Sequence, residues 1–447
     1  MSKPTSNGKE EDYIVEKIVT PEGKIVERRI SRADRRAFLL TFTLVWFGLM
    51  LGQLDGSMFS FVIPQLTAAF HLTVADIGFI VSGGWILGGI GVLWLGMISD
   101  RIGRKPLYNL TVFLAGTFSG LTAFVSNVIQ LIGVRLMTGI GTWMEWSPAA
   151  AITSEESLVK WRSIFIALLN VSYPLGFMLA AGFAYLIVPH FGWRPLFYIA
   201  FAPLIAVGLM WFRTRETKRF TDLKEQMKGK AGTYKANLEK ATSIGLKQLF
   251  SRDLRHTTFW VTIASITAYY VNYPQYYGIV YLTSQSAGDL PYATALLVSF
   301  LAFGVYTLGY VMSGFIVQKI GYKKNVVYSL IAAIPLTVIA SLYTHGVWEW
   351  VVWPLYLLAT VGAWWPSYLN IVSTAFPTRA RATGVGYAFL LGGLFTAAWI
   401  SFAGYMFGKI GVNMTYLLGL APVILGIFAF LKIKEIPVTA SLEEIAY

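Results

Sequence analysis

The 447-residue chain contains no cysteine and little charge. Without a thiol it can build neither a disulfide framework nor a thiolate metal site. Charged residues make up 13% of it and hydrophobic residues 55%, whereas a soluble domain carries roughly 25% charged residues. Its 15 Trp, 24 Tyr and 30 Phe are also too many to hide, because the buried fraction of a soluble fold rises only slowly with chain length. These shortages exclude a soluble enzyme, a disordered chain and a small disulfide scaffold. Long polar segments are scarce as well, and no Gly-x-x-x-x-Gly-Lys-Ser/Thr run is present. An ATP-driven pump would therefore have no nucleotide domain, and an enzyme no catalytic domain. The four histidines, His71, His190, His256 and His345, lie at segment ends or in loops. With no metal-ligand cluster, neither a metal nor another cofactor is expected.

What the chain does have is apolar length. A membrane-spanning helix takes about 20 mainly apolar residues, and twelve such stretches lie between residues 38 and 431. The expected fold is an all-α membrane protein of twelve transmembrane helices. It divides into six-helix bundles at 38–212 and 258–431, an N-terminal tail at 1–37, a basic linker at 213–257 and a C-terminal tail at 432–447. Of the 36 Lys and Arg residues, 33 fall in the tails and in alternate loops, one (Arg135) lies inside a span, and only Arg194 and Lys409 fall in the other loops. This asymmetry orients the chain with both termini cytoplasmic, as a multi-pass protein of the cell membrane. The net charge of +13 thus reports topology rather than a nucleic-acid partner. The basic linker is expected to lie on the anionic leaflet, with lipid as its partner.

The two halves repeat each other at an offset near 218. Gly96-Met-Ile-Ser-Asp100-Arg101-Ile-Gly103-Arg104-Lys105 aligns with Gly314-Phe-Ile-Val-Gln318-Lys319-Ile-Gly321-Tyr322-Lys323, and Pro148 with Pro366. A pseudo-two-fold along the membrane normal, with a mid-membrane cavity between the halves, follows from that repeat. The first run resembles the loop signature of the major facilitator superfamily, and Arg135-Leu-Met-Thr-Gly139-Ile-Gly141 resembles the Arg-x-x-x-Gly-x-Gly element of its fourth span. Leu54-Asp55-Gly56, Thr153-Ser154-Glu155 with Trp161-Arg162-Ser163, Tyr173-Pro-Leu-Gly176, Gly192-Trp193-Arg194 and Phe376-Pro-Thr378-Arg-Ala-Arg381 together resemble the aromatic-acid and metabolite:proton symporters. Sugar porters share part of the set, including Glu216–Phe220. The resemblance implies alternating access and a cytoplasmic gate built from Gly96, Asp100, Arg101, Gly103, Arg104, Lys105, Glu155, Arg162 and Arg381. It departs from the family at Ser57-Met58, where a second acid is missing, at Thr374 and at Gln318.

An ionisable side chain at mid-bilayer costs at least about 2.5–3.5 kcal/mol, so it is a functional candidate by default. Asp55, Arg135 and Glu145 are the candidates well inside spans. Counted at 1.5 Å per residue, Asp55 lies ~12 Å and Arg135 ~10 Å from the same face, and Glu145 ~15 Å below Arg135. Asp55 and Arg135 are therefore level and able to pair. Burial favours a neutral carboxylic acid and an adjacent guanidinium favours the carboxylate, so their separation sets whether a proton is held. The alternative is a static ion pair. Glu145 is either a second relay group or a hydrogen-bonded neutral acid.

For the substrate cavity the expected residues are Arg135, Asn170, Asn272, Tyr273, Gln275, Tyr277, Trp364, Tyr368 and Asn370. Aromatic faces with hydroxyls and amides suit a small ring or a hydroxylated acid. The expected function is a monomeric proton-coupled symporter importing a small organic acid. A proton-coupled sugar or polyol porter is the alternative, and a non-transporting membrane sensor of the same fold is a remote one. On this reading Asp55→Asn retains substrate exchange across a vesicle membrane and loses accumulation driven by a pH gradient. Accumulation that survives the substitution would assign Asp55 a structural role.

Overall fold

The computed structural model describes residues 14–19, 25–157, 161–214, 216, 247–270, 272–342, 345–376 and 378–433. Side chains are not described at 14–30, 93–101, 154–155, 162–163, 272, 373 and 378–382. The spans are helical throughout. One departure from an all-helical chain precedes them, an antiparallel hairpin pairing Ile14–Val19 with Ile25–Ile30. Both strands are rich in Ile and Val, β-branched residues that favour strands. Most of the basic linker and the C-terminal tail beyond Ile433 lie outside the described residues.

Span one, Arg32–Phe61, starts at Ser31, which forms a reciprocal capping box with Asp34. Spans two, three, five and six follow as Val74–Ile102, Arg104–Leu121, Arg162–Phe191 and Arg194–Arg213, the last beginning as a 3-10 turn. In the second half, spans eight, nine, eleven and twelve are Tyr292–Ile320, Tyr322–Leu342, Thr378–Ile410 and Val412–Lys432. Nine helices among the described residues are long and apolar enough to cross a membrane. The other three spans are interrupted, which completes the twelve. Their outer surface is apolar to a degree no aqueous surface tolerates: Phe212 is 84% exposed and Ile129 81%.

Two of the three breaks share one cause. Span four runs Val128–Met144 and resumes at Trp146–Glu156. Span seven, described over Arg255–Tyr270 and Asn272–Tyr276, turns at Tyr277 and resumes as Gly278–Thr283. Span ten runs Glu349–Leu357, widens into a π turn at Leu358–Gly362 and resumes at Trp365–Ala375. Pro148 and Pro366 stand just past the breaks of spans four and ten, and each proline ring excludes the carbonyl four residues back, at Met144 and Gly362; Pro274 lies three residues before the turn of span seven at Tyr277.

The halves meet along spans two and eleven, and along five and eight. On the face away from the N-terminus of span one, here called the far face, they are closed. Tyr292 Oη donates to the Phe61 carbonyl at 2.8 Å, Ser82 Oγ to the Ala397 carbonyl at 2.9 Å, and Ser401 Oγ to Ser82 Oγ at 2.7 Å. Phe303 stacks on Phe177 with ring centroids 4.9 Å apart. Deeper in, spans two and eleven touch through bare backbone, since a Cβ added at Gly393 would lie 2.7 Å from Gly89 Cα and 2.7 Å from the Trp85 carbonyl. Only glycine allows that approach. Gly393→Val is therefore expected to pry the far face open. The chain has no cysteine of its own, so maleimide labelling of Ser401→Cys reads the change directly, and a several-fold faster reaction in the Gly393→Val background is the expected result.

Candidate functional site

All three breaks converge on one cavity between the halves, on the near side of the far-face contacts. It holds about 610 Å³ of empty space. From the first half it is lined by Trp85, Trp143, Trp146, Asn170 and Tyr173, and from the second by Tyr269, Gln275, Tyr306, Tyr310, Val361, Trp365, Leu369 and Phe389. The residues flanking each break supply Trp143 and Trp146, Gln275, and Val361 and Trp365. A helix that leaves its regular ladder inside a membrane does so where a cavity or neighbouring protein accommodates the freed backbone.

The rings are arranged as edge-to-face pairs. Trp85 and Trp143 lie 4.8 Å apart, Trp143 reaches across to Tyr269 at 6.1 Å, and Tyr269 meets Trp365 at 5.3 Å. Such pairs contribute about 0.5–1.5 kcal/mol each beyond area burial and hold ring planes in place. Asn170 donates its amide to the Ile166 carbonyl at 2.8 Å. The lining carries amides and hydroxyls but no charge.

Charge lies in an adjoining lobe of about 530 Å³, which shares Trp85, Trp143 and Tyr173 with the first cavity. Gln53, Gly56 and Ser57 of span one line it, as do Arg135, Thr138 and Thr142 of span four and Tyr276 of span seven. Arg135 is 5% exposed, and its guanidinium carbon lies 4.3 Å from the centre of the Phe59 ring. A desolvated cation over an aromatic face gains about 2 kcal/mol. Its Nε and Nη1 have no hydrogen-bond partner, and neither carboxylate oxygen of Asp55 has one. The two residues are buried in the same half, yet the expected ion pair is not formed in this structure. Arg135 faces the lobe; Asp55 is absent from the lining of both cavities.

Glu145 is fully buried at the break of span four, and its Oε1 accepts from Gln53 Nε2 at 2.7 Å. Such a bond is open to Glu145 both as a relay group and as a neutral acid. A Cβ at Gly52 would lie 2.5 Å from Glu145 Oε2, so the carboxyl sits in a slot that exists because residue 52 is glycine.

Of the expected cavity residues, Arg135, Asn170 and Gln275 line these spaces. Five do not. Tyr273 Oη donates to the Thr415 carbonyl, Tyr277 Oη to the Ile400 carbonyl and Trp364 Nε1 to the Thr360 carbonyl, while the Tyr368 hydroxyl pairs with Ser265 Oγ. These donors are spent within the helix packing, which is where a buried polar group must find a partner. Asn370 is exposed and donates to the Pro366 carbonyl at 2.9 Å. The side chain of Asn272 lies outside the described residues. Among the residues not anticipated are Gln53, Trp85, Trp143, Trp146, Tyr306 and Tyr310. A signal existed for some of them: Gln53 is the one amide in the apolar stretch of span one, and Trp85 and Trp143 lie mid-span, away from the headgroup depth that tryptophan favours.

At the gate loop the side chains of Gly96, Asp100, Arg101, Glu155, Arg162 and Arg381 lie outside the described residues. The remainder is organised by Glu216 at the end of span six. Its carboxylate accepts from the backbone N–H of Arg104 and of Lys105, each at 3.2 Å, while Lys105 Nζ donates to the Trp211 carbonyl at 3.0 Å. Gly103, at φ +103°, makes the turn, and a Cβ there would collide with the Glu216 carboxylate.

Two six-helix halves around a cavity of broken helices define a secondary transporter. The chain belongs to the Major Facilitator Superfamily, whose model matches residues 45–399. It is similar to the niacin transporter NiaP of Acinetobacter baylyi, at 26% identity over 78% of this chain and 84% of that protein. It is also similar to the cis,cis-muconate transport protein of the same organism, at 25% identity over 91% of this chain and 96% of that protein. Among solved structures, the inward-open xylose transporter XylE of E. coli superposes with a TM-score of 0.72 at 17% identity, covering 91% of this chain and 99% of that one. That last likeness shows the fold. The protein is a membrane transporter and not an enzyme.

The Glu216 contacts satisfy two of the free N–H groups at the start of span three, a capping interaction of about 1 kcal/mol. Glu216→Ala should accordingly speed backbone hydrogen exchange at residues 104–107 by about fivefold, which mass spectrometry of the exchanged peptides would measure.

Proposed function

We propose that the chain is a proton-coupled symporter that imports a small organic acid bearing a ring or a planar conjugated system, by alternating access. The observation that carries this reading is the joining of an aromatic, amide-bearing cavity to a lobe whose single guanidinium, on Arg135, has unspent donors. A planar acid fits with its apolar body between Trp143, Tyr269 and Trp365 and its carboxylate towards Arg135. The relatives named for niacin and for cis,cis-muconate carry planar acids, which supports the same class.

On this reading the far-face closure is the inward-facing state, with both termini and the gate loop cytoplasmic in the cell membrane. Thirty-three of the 36 cations then lie on the cytoplasmic side, as the positive-inside rule requires. The carboxyls of Asp55 and Glu145 hold the coupling proton, and Arg135 is free to meet the anion when they are neutral. The gate closes when the loop at Gly96–Lys105 engages the ends of neighbouring helices, with Glu155, Arg162 and Arg381 among its partners. The unit is one chain with its lipids.

A sugar or polyol is the competing substrate, favoured by the uncharged lining of the larger cavity. Counterflow in proteoliposomes separates the two. Benzoates and nicotinate should exchange, short hydroxy acids weakly and hexoses not at all, and an inward pH gradient should convert exchange into accumulation. Preferential exchange of hexoses would overturn the acid assignment.

A further inference from the structure

We propose that Gln53 and Glu145 form an amide switch: when Glu145 takes up a proton, Gln53 turns its N–H2 group into the Arg135 lobe and completes a two-donor site for a carboxylate. The proposal rests on the proton-coupled organic-acid reading and deepens it by naming the residue through which the proton is felt by the substrate.

Gln53 faces two ways. Its Nε2 donates to Glu145 Oε1 at 2.7 Å, and the same side chain lines the lobe beside Arg135. Glu145 is 0% exposed, and its second oxygen, Oε2, has no partner. A static support for the helix break would not need an amide that reaches the lobe, nor a carboxyl with one oxygen unsatisfied. Other groups near Glu145 cannot take over the role. Asp55 on span one lies within its electrostatic reach but lines neither cavity. Tyr108 on span three spends its hydroxyl on the Val45 carbonyl at 2.6 Å. Span five presents Tyr173, which packs on Trp146, and Arg135 lies on Glu145's own span, almost three turns away.

The chemistry of the two groups does the rest. An ionised carboxylate only accepts, so it takes the amide N–H and leaves the amide oxygen directed at the lobe, where it repels an anion. A protonated Glu145 has a donor to offer. Giving it to Gln53 Oε1 rotates the terminal torsion by a half-turn, which an sp³–sp² bond permits at little cost. The N–H2 group then points into the lobe with the Arg135 guanidinium. No bond other than hydrogen bonds changes, and the proton stays on Glu145. Because the coupling is reciprocal, a bound anion also raises the proton affinity of Glu145, which is what symport of an acid requires.

The test uses the full-length protein in detergent, with benzoate and nicotinate as probes, binding read by quenching of tryptophan fluorescence, and proton uptake read with a pH dye. Between about pH 5.5 and about pH 8, the wild-type protein should bind benzoate about tenfold more tightly per unit fall in pH, taking up one proton per anion. Glu145→Gln presents a permanent donor to Gln53, so it should bind at the acid-limit affinity with a flat profile and no proton uptake. Gln53→Met should bind weakly at every pH, also with a flat profile. A wild-type pH slope in either folded variant overturns the switch while leaving the proton-coupled acid carrier intact. A wild-type protein that binds neither anion at any pH overturns both. Melting curves identify a variant that has not folded, and Gln53→Met, which removes no buried charge, decides the matter if Glu145→Gln is lost.

Discussion

Inside a bilayer a backbone group that leaves its helix has no water to turn to, and the site depends on this constraint. Three spans are broken, and the residues around the breaks at Glu145, at Tyr276–Tyr277 and at Leu358–Gly362 line the same two joined spaces. The breaks and the cavity account for each other. A break makes room by turning ring-bearing residues away from the helix axis, and the room supplies an environment in which irregular backbone is tolerated. Elsewhere the irregularities are slighter, a 3-10 start to span six and a turn at Leu418–Gly419 in span twelve, and the spans pack closely, down to glycine-on-glycine contacts such as Gly84 with Gly139 and Gly89 with Gly393.

Charge is distributed by the same logic. A lone guanidinium in hydrocarbon must be sheltered, and Arg135 is sheltered by the Phe59 ring rather than by a carboxylate. Two acids lie in the same half, and neither is hydrogen-bonded to Arg135. Glu145 has an amide partner and Asp55 has none. An unneutralised carboxylate in such a place is costly, whereas a carboxylic acid there is cheap. On the proposed function, protonation balances the charge of this half and a substrate anion beside Arg135 is the complement. On the same reading the larger cavity, aromatic and uncharged among the described residues, gives shape and orientation to the rest of the substrate.

How much of this was legible beforehand varies by element. The twelve spans, the two halves and the gate loop follow from hydropathy, from the repeat at Gly96 and Gly314, and from the placement of Lys and Arg. The interruptions were only partly legible. Pro148 and Pro366 mark real breaks and Pro274 lies within a turn of another, but Pro174, Pro335 and Pro354 sit inside continuous helices. A proline removes the same hydrogen bond in every case; whether the helix then breaks depends on what packs around the freed carbonyl. For the same reason Tyr273, Tyr277, Trp364 and Tyr368 were indistinguishable by type from Tyr269, Tyr306 and Trp365, although the former are tied into packing and the latter line a cavity.

The amino-acid sequence by itself determined that the chain crosses a membrane twelve times, which face is basic, and which few ionisable groups are carried into the interior. Those properties are sums over residue types and spacings along one dimension. Only the tertiary structure decided that Asp55 and Arg135 stand apart, that Gln53 meets Glu145 across 92 positions of chain, and which aromatic rings face one another over open space. Contacts of that kind depend on how helices rotate and approach, and glycines such as Gly52 and Gly393 set those distances by what they leave out.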